Sequence, residues 1–400
     1  MHALSNSSDP ATGWRAVELG VVRHHADTAN LLQQLLTVDP NWVPALCLRG
    51  FALLFKGRRA LRDAAAEHGN QAHQAIASGR GEPGDDDLVD ALWAWSRDDG
   101  WAAEAALQRR LLAKPHDLFT VKLQHGLLFM MGQSKVMRER IEAHLATWPN
   151  DDPDRGYVLG ATVFARVECE DFDAADVARQ EWTEHPADDA WGLHAVAHLL
   201  HEQGRFTDAL DWLEQRQDRW AACDRFGNHL DWHRALLHLH LGSTERALSI
   251  HDEHLRGVFD GDYRDMSNAV SILWRLEALG IDVGPRWQEL AAACSGLLHD
   301  HGSAFADAHY VLAQLHGGPP ECVHPMLETL REIDGAGYQD GVVKEVGLVL
   351  CQALAEWQRH PERALEGLRT IGCDIPLIGG SRAQRSLFDD VIAHLERVTA

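Results

Sequence analysis

Two groups of histidines in this sequence have a spacing that could support chemistry. Of 25 histidines, His194, His198 and His201 lie at positions i, i+4 and i+7, and His229 and His233 lie at i and i+4. Residues with these spacings share one face of an α-helix. Neutral imidazole binds transition metals and acts as a general base. We therefore interpret His194, His198, His229 and His233 as candidate catalytic residues and as candidate ligands of a divalent transition metal such as zinc.

Known catalytic motifs are absent around these histidines. His201-Glu202 is followed by Gln203-Gly204-Arg205, so the second histidine of an H-E-x-x-H zinc motif is missing. A metal would need ligands from two helices. The sequence also has no G-x-S-x-G elbow, no G-x-x-x-x-G-K-[ST] phosphate loop and no dinucleotide-binding glycine fingerprint. Three interpretations stay open: a metal site, a metal-free pocket that uses histidine as base or donor, and imidazoles satisfied by solvent or backbone.

The elements that position these histidines are helices, because apolar residues recur at helical spacing along most of the chain. Four antiparallel pairs with short connections are the clearest. The predicted pairs are Leu118–Met131 with Lys135–Trp148, Tyr157–Glu168 with Ala174–Thr183, Trp191–Gln203 with Thr207–Gln215, and Leu230–Leu241 with Glu245–His254.

These pairs repeat in register. Ala175, Ala209 and Ala247 occupy equivalent positions, 34 and 38 residues apart, and Gly204 and Gly242 precede the last two of them by five residues. A turn glycine followed by a small residue where two helices meet is typical of tetratricopeptide (TPR) repeats. The sequence predicts an all-α, TPR-like solenoid, curled around a central groove or pocket. We expect a disordered segment over residues 1–12 and one helical-repeat domain over 13–400, with its clearest units over about 117–254.

In such a solenoid the first helix of each pair lines the concave surface, so both histidine groups are expected to face it and each other. Other polar and aromatic residues on predicted first helices are candidate ligand-binding residues of the same pocket. These are Tyr157, Phe164, Trp191, His201, Asp265, Asn268, Arg275, Asp307 and His309. The remaining histidines near helix ends or loops are interpreted as surface residues, namely His24, His25, His251, His254, His299 and His301.

Several strings also resemble the tetratricopeptide repeat protein 38 family. They are Asp189 to His198, which contains H-A-V-A-H, and Asn228 to Leu236, which contains H-x-x-W-H, followed by Glu245-Arg246-Ala247-Leu248. The resemblance implies a soluble TPR-type helical array and no particular biochemical role. The chain departs from the family pattern at His201, where that pattern has a glutamate.

Charge and composition restrict the partners. The chain has 37 Lys and Arg against 60 Asp and Glu, a net charge of −23, which argues against nucleic acid or an anionic membrane as the main partner. The seven cysteines form no C-x-x-C pair, and no leader or membrane-spanning stretch is recognisable, so a cytoplasmic location is expected.

Two functions follow from these observations. The first is a His-lined pocket for a small molecule, with hydrolytic or metal-assisted chemistry. The alternative is a non-catalytic TPR scaffold that binds a peptide or protein in its concave groove. With this net charge, such a partner is expected to be basic.

Overall fold

The computed structural model describes residues 9–183, 185, 188–257, 259–319 and 321–400, and the regular elements within these ranges are helices. The only β-type pairing there is an isolated bridge between His25 and Cys223. The α-helices are α1 (Pro10–Val22), α2 (Thr28–Val38), α3 (Val43–Leu54), α4 (Arg62–Ala77), α5 (Asp85–Ser96), α6 (Gly100–Ala113), α7 (Leu118–Met130), α8 (Ser134–Thr147), α9 (Arg155–Glu168), α10 (Phe172–Thr183), α11 (Ala190–Glu202), α12 (Phe206–Glu214), α13 (Phe226–His240), α14 (Thr244–Ile250), α15 (Tyr263–Ala278), α16 (Arg286–Cys294), α17 (Ala304–Gly317), α18 (Val323–Arg331), α19 (Tyr338–Val342), α20 (Leu348–Glu356), α21 (Pro361–Thr370) and α22 (Arg382–Thr399).

The four predicted helix pairs are confirmed as α7 to α14. Helix α1 begins at Pro10 and so includes residues 10–12 of the segment expected to be disordered, while residues 1–8 lie outside the described part. Gly204 and Gly242 have positive φ at the turn within each pair, and Glu170 takes the same left-handed conformation in the α9–α10 pair. Ala175, Ala209 and Ala247 are each 0% exposed. The predicted TPR-like repeat, with a turn residue of positive φ followed by a buried alanine, is therefore confirmed in these three helix pairs.

The pairs stack into two layers. Helices α9, α11, α13, α15, α17 and α20 contact one another in succession as an inner layer, and each packs on its own partner, α10, α12, α14, α16, α18 or α21. Gly160 of α9 and Gly192 of α11 permit an especially close approach, because a Cβ on Gly160 would lie 2.7 Å from the Gly192 Cα. This contact brings the helix that carries Phe164 against the helix that carries His194 and His198.

The inner surface of the curl is covered at both ends. The C-terminal helix α22 packs on α11 and α15. At the other side, the turn after α1 pairs with the segment before α13, where Asp224 N donates to His24 O at 2.8 Å. Every residue of α9 except Arg166, and every residue of α11 except Trp191 and Glu202, is buried. The concave face along α9 and α11 is thus a closed interior and not the open groove expected of a peptide-binding solenoid.

Two further properties bear on the sequence expectations. All seven cysteines fall within the described residues, and each is a free thiol. Within the described ranges, none of the helices combines the length and the apolar character needed to cross a membrane.

Candidate metal centre

The histidines of α11 and α13 meet inside the curl. His194 Nε2 lies 3.0 Å from His198 Nε2 and 3.1 Å from His229 Nε2. The ring of His233 has its centroid 4.9 Å from that of His194 and 4.5 Å from that of His198. One nitrogen from each of the four side chains lies within 4.8 Å of the other three. The predicted meeting of two H-x-x-x-H pairs is therefore present, and we call these four residues the four-histidine cluster.

The cluster is largely shielded from solvent. His194, His198 and His233 are at most 2% exposed, and His229 is half-buried. Burial lowers the pKa of all four imidazoles, to about 4 for His229 and well below the ordinary value for the other three, with mutual repulsion adding to the effect for those three. The four rings are consequently neutral at pH 7, which is the state in which imidazole binds a metal.

The nitrogen atoms that face away from the cluster are mostly unsatisfied. His229 Nδ1 lies 3.2 Å from Asn268 Oδ1, which fixes this nitrogen as the donor and leaves Nε2 with a free lone pair. Within the described part of the chain, the Nδ1 atoms of His194 and His198 and both ring nitrogens of His233 have no hydrogen-bond partner. Such orphaned buried polar atoms are costly, and they call for an explanation.

An aromatic wall surrounds one side of the cluster. Phe164 lies 4.9 Å from Trp191 between ring centroids, and its ring is 5.3 Å from that of His198. Phe226 adds a further face 5.1 Å from His194. The candidate residues Phe164 and Trp191 thus lie beside the cluster, whereas the hydroxyl of Tyr157 accepts a hydrogen bond from Arg23 Nε at 2.6 Å.

The other candidate ligand-binding residues are dispersed. Asp265 forms an ion pair with Arg225, and Arg275 forms one with Asp390 of α22. Of the three candidate residues on α15, Asn268 is the one that contacts the cluster.

Three more candidates lie elsewhere. Asp307 lies 3.3 Å from His301 Nδ1, and His309 Nδ1 donates to Phe305 O at 2.7 Å. His201 lies beyond His198 on α11, and its ring is 5.0 Å from that of His240.

The surface interpretation is wrong for two histidines. His251 and His301 are 1% and 2% exposed. His24 is half-buried, and its ring stacks 4.2 Å from Phe226 and 5.9 Å from Trp191. His299 is exposed as expected, while His25 and His254 are half-buried.

Sequence reasoning missed Phe226, His24 and Lys122. Phe226 had a signal, since it lies three residues before His229 and seven before His233 on the same helical face. His24 and Lys122 had none, because their positions depend on contacts far along the chain. Lys122 Nζ lies 3.0 Å from His24 Nε2 and 4.1 Å from the centroid of the Trp191 ring. Burial lowers the pKa of Lys122 to about 8.

Two cavities of the described structure lie away from the cluster. One of about 660 Å³ is lined by residues of α1, α3, α6 and adjoining loops, among them Trp14, Trp42 and Arg110. Another, of about 400 Å³, is lined by Asp224, Arg225, Asn228, Gly257, Phe259 and Asp260, and none of the four histidines lines either cavity.

No family model matches this chain. Among solved structures, the chain is similar to yeast Tom70, with 11% identity and a TM-score of 0.38 over 88% of this chain and 90% of that one. It is also similar to the TPR domain of P58(IPK), with 13% identity and a TM-score of 0.22 over 88% and 90% of the two chains. Identities and TM-scores this low do not identify the function or the family of this chain. Its description as an all-α, TPR-like helical-repeat protein rests on its own helix pairs.

Proposed function

We propose that this helical-repeat protein holds one divalent transition metal inside its curl, bound by His194, His198, His229 and His233. The observation that carries the proposal is the convergence of four neutral imidazoles: His194 Nε2 lies 3.0 Å from His198 Nε2 and 3.1 Å from His229 Nε2, and a nitrogen of His233 lies within 4.8 Å of the other three. A tetrahedral zinc ion with Zn–N distances of about 2.0–2.1 Å holds its ligand nitrogens about 3.3 Å apart. Zinc therefore fits this donor set.

Hydrogen bonding alone is a poor account of the cluster. A neutral imidazole has a single N–H, so His194 Nε2 cannot satisfy both nitrogens that face it. Protonating a ring would supply a second donor, but burial opposes the added charge. A metal on the Nε2 atoms would leave the Nδ1 atoms of His194 and His198 unpaired, so the unpaired nitrogen that an ion would satisfy is one of the two on His233. Leaving such a buried polar atom unsatisfied costs about 1–3 kcal/mol. A cation at the centre would instead use the lone pairs that converge there.

The arrangement favours a stabilising ion over a catalytic one. Four histidine ligands complete a tetrahedral site, whereas catalytic zinc sites keep one position for water or substrate. An ion at this place would join α11 to α13 and hold neighbouring units together. Hydrolytic chemistry would require one of the four ligands to leave, so we rank it below the stabilising role.

Metal analysis tests the proposal. Purified protein, loaded with zinc and then freed of excess ion, is expected to retain one ion per chain, and chelation is expected to lower its melting temperature. The variant His194→Ala/His233→Ala is expected to retain none and to melt at the same temperature with or without chelator. A matched control, His299→Ala/His324→Ala, removes two exposed histidines and is expected to behave like wild type. A loaded wild-type protein without stoichiometric metal would reject the proposal.

A second candidate function is the binding of a basic peptide or protein, in the cleft of about 660 Å³ and not on the closed concave face. Five carboxylates against three Lys or Arg side chains line this cleft, together with Trp14 and Trp42. Carboxylates and aromatic faces together suit a cationic ligand. Titration with a lysine-rich peptide tests it, and Glu82→Lys is expected to weaken binding, whereas an unchanged affinity would count against this site.

The resemblance to the tetratricopeptide repeat protein 38 family remains a proposal. It is supported by the H-A-V-A-H and H-x-x-W-H strings, which supply the four clustered histidines. The sequence also predicted a small-molecule ligand in a His-lined pocket, and the closed interior does not favour that prediction.

A further inference from the structure

The two histidine stripes continue past the four-histidine cluster toward the protein surface. His201 lies one turn beyond His198 on α11, and His240 lies two turns beyond His233 on α13. Their ring centroids are 5.0 Å apart. His201 is 8% exposed and its Nδ1 has no hydrogen-bond partner among the described residues, whereas His240 is exposed.

We propose that His201 and His240 form an outer cation site, which receives the divalent metal from solvent and passes it to the four-histidine cluster. This proposal rests on the proposed function, since it concerns how the ion reaches that cluster. Two imidazoles bind a divalent transition metal more weakly than four, so the ion is held at the outer site only in transit.

The spacing of the side chains suits such a transfer. Residues three or four apart on a helix have Cβ atoms about 5–6 Å from each other, so His194, His198 and His201 form a continuous row. Phe206 holds the outer pair in place, because its ring stacks on His240 at 4.3 Å and meets the edge of His201 at 5.5 Å. An ion can therefore move inward one imidazole at a time.

The opposite end of the row is lined mainly by aromatic rings, although His229 is half-buried there. There the rings of His24, Trp191 and Phe226 form a layer over His194, and Lys122 lies on the Trp191 face. The charges of the carboxylates Asp189 and Asp224 act on Lys122. A divalent cation approaching from this side would meet the amine of Lys122 and an apolar layer.

Charges at the outer end are compensated. The positive charge of Arg275 adds to the effect of burial in lowering the pKa of both His201 and His240. Arg275 itself pairs with Asp390 at 2.8 Å. Arg382, at the start of α22, pairs with Glu202 at 3.1 Å and with Glu170 at 2.6 Å. Because carboxylates neutralise both arginines, neither arginine opposes the approach of a cation from the side of His240.

Loading kinetics test the outer site. Chelator-treated full-length protein is mixed with Co²⁺, and the absorbance of the tetrahedral ion is followed in stopped flow. We expect His240→Ala and His201→Ala to load about tenfold more slowly than wild type, since local cation concentration sets the association rate. The final absorbance and the stoichiometry are expected to stay unchanged. His238→Ala serves as the control, because His238 lies on α13 beside Glu214, and it is expected to load at the wild-type rate.

The outcomes separate the two proposals. Variants that load as fast as wild type would overturn the outer site while leaving the cluster intact. Loss of the bound ion in either variant would also overturn it, because these residues would then be primary ligands. A wild-type protein that takes up no cobalt would overturn the proposed function itself. Because His240 is exposed, His240→Ala preserves the test if His201→Ala does not fold.

Discussion

Replacing Glu168 by alanine is expected to lower the free energy of unfolding by about 3–5 kcal/mol, because it breaks a buried ion pair that closes the curl. Glu168 is the last residue of α9, and its side chain is 1% exposed. Its Oε2 lies 3.3 Å from Arg385 Nη2, and its Oε1 accepts the backbone N–H of Arg382 at 3.0 Å. The substitution leaves the guanidinium of Arg385 buried without its carboxylate and removes the acceptor at the start of α22.

The sign of the pKa shift refines this expectation. Burial raises the pKa of Glu168 more than Arg385 and the other donors lower it, so the desolvation of the carboxylate outweighs its favourable contacts. An apolar pair of similar volume avoids that desolvation. The double variant Glu168→Met/Arg385→Met is therefore expected to be more stable than either single variant.

Urea unfolding followed by circular dichroism measures all three variants as a double-mutant cycle. Glu396→Ala is the control, since it breaks a pair between Glu396 and Arg369 whose side chains are 49% and 60% exposed, and it is expected to cost at most about 1 kcal/mol. A cost below about 1 kcal/mol for Glu168→Ala, or a double variant as unstable as the sum of the single variants, would refute the reasoning.

Three further predictions concern buried positions. Burial lowers the pKa of His309 to about 4 from 6.5, so the unfolded chain takes up the proton first as pH falls. The contribution of His309 is therefore complete above pH 6.5 and declines by about 3 kcal/mol toward pH 4, and His309→Gln is expected to remove that part of the slope in urea titrations at a series of pH values. Gly192→Ala is expected to cost about 1–3 kcal/mol, because its Cβ would lie 2.3 Å from Trp182 Nε1, whereas Gly296→Ala meets no atom within 4 Å and is expected to leave the melting temperature unchanged or slightly raised. Finally, a thiol reagent is expected to modify exposed Cys373 much faster than buried Cys47, whose thiol pKa burial raises, and equal rates would contradict the burial described here.

The repeat frame was predictable because it depends on local chemistry. A small residue recurs at Ala175, Ala209 and Ala247 because neighbouring helices approach most closely there, and each of these alanines is fully buried. The spacing of His194 and His198 places them on one helical face whatever surrounds that helix. Register between successive repeats then predicted that His229 and His233 would face them.

The closure of the interior was not predictable in the same way. Asn268 and Arg275 lie on one face of α15 but about 10 Å apart along its axis, so one reaches His229 of α13 and the other reaches Asp390 of α22. Helical periodicity determines the side of the helix on which a residue lies. It does not determine which neighbouring helix packs against that side at each position along the axis.

The sequence by itself determined the helix pairs, their repeat and the two histidine stripes, because all three depend on residues close together in the chain. Only the tertiary structure decided that aromatic rings pack against one end of the stripes and that α22 packs on α11 near the other end. His24 and Trp191 come together from 167 positions apart, through packing that no local pattern records. The separation of Glu168 from Arg385 is larger still, at 217 positions.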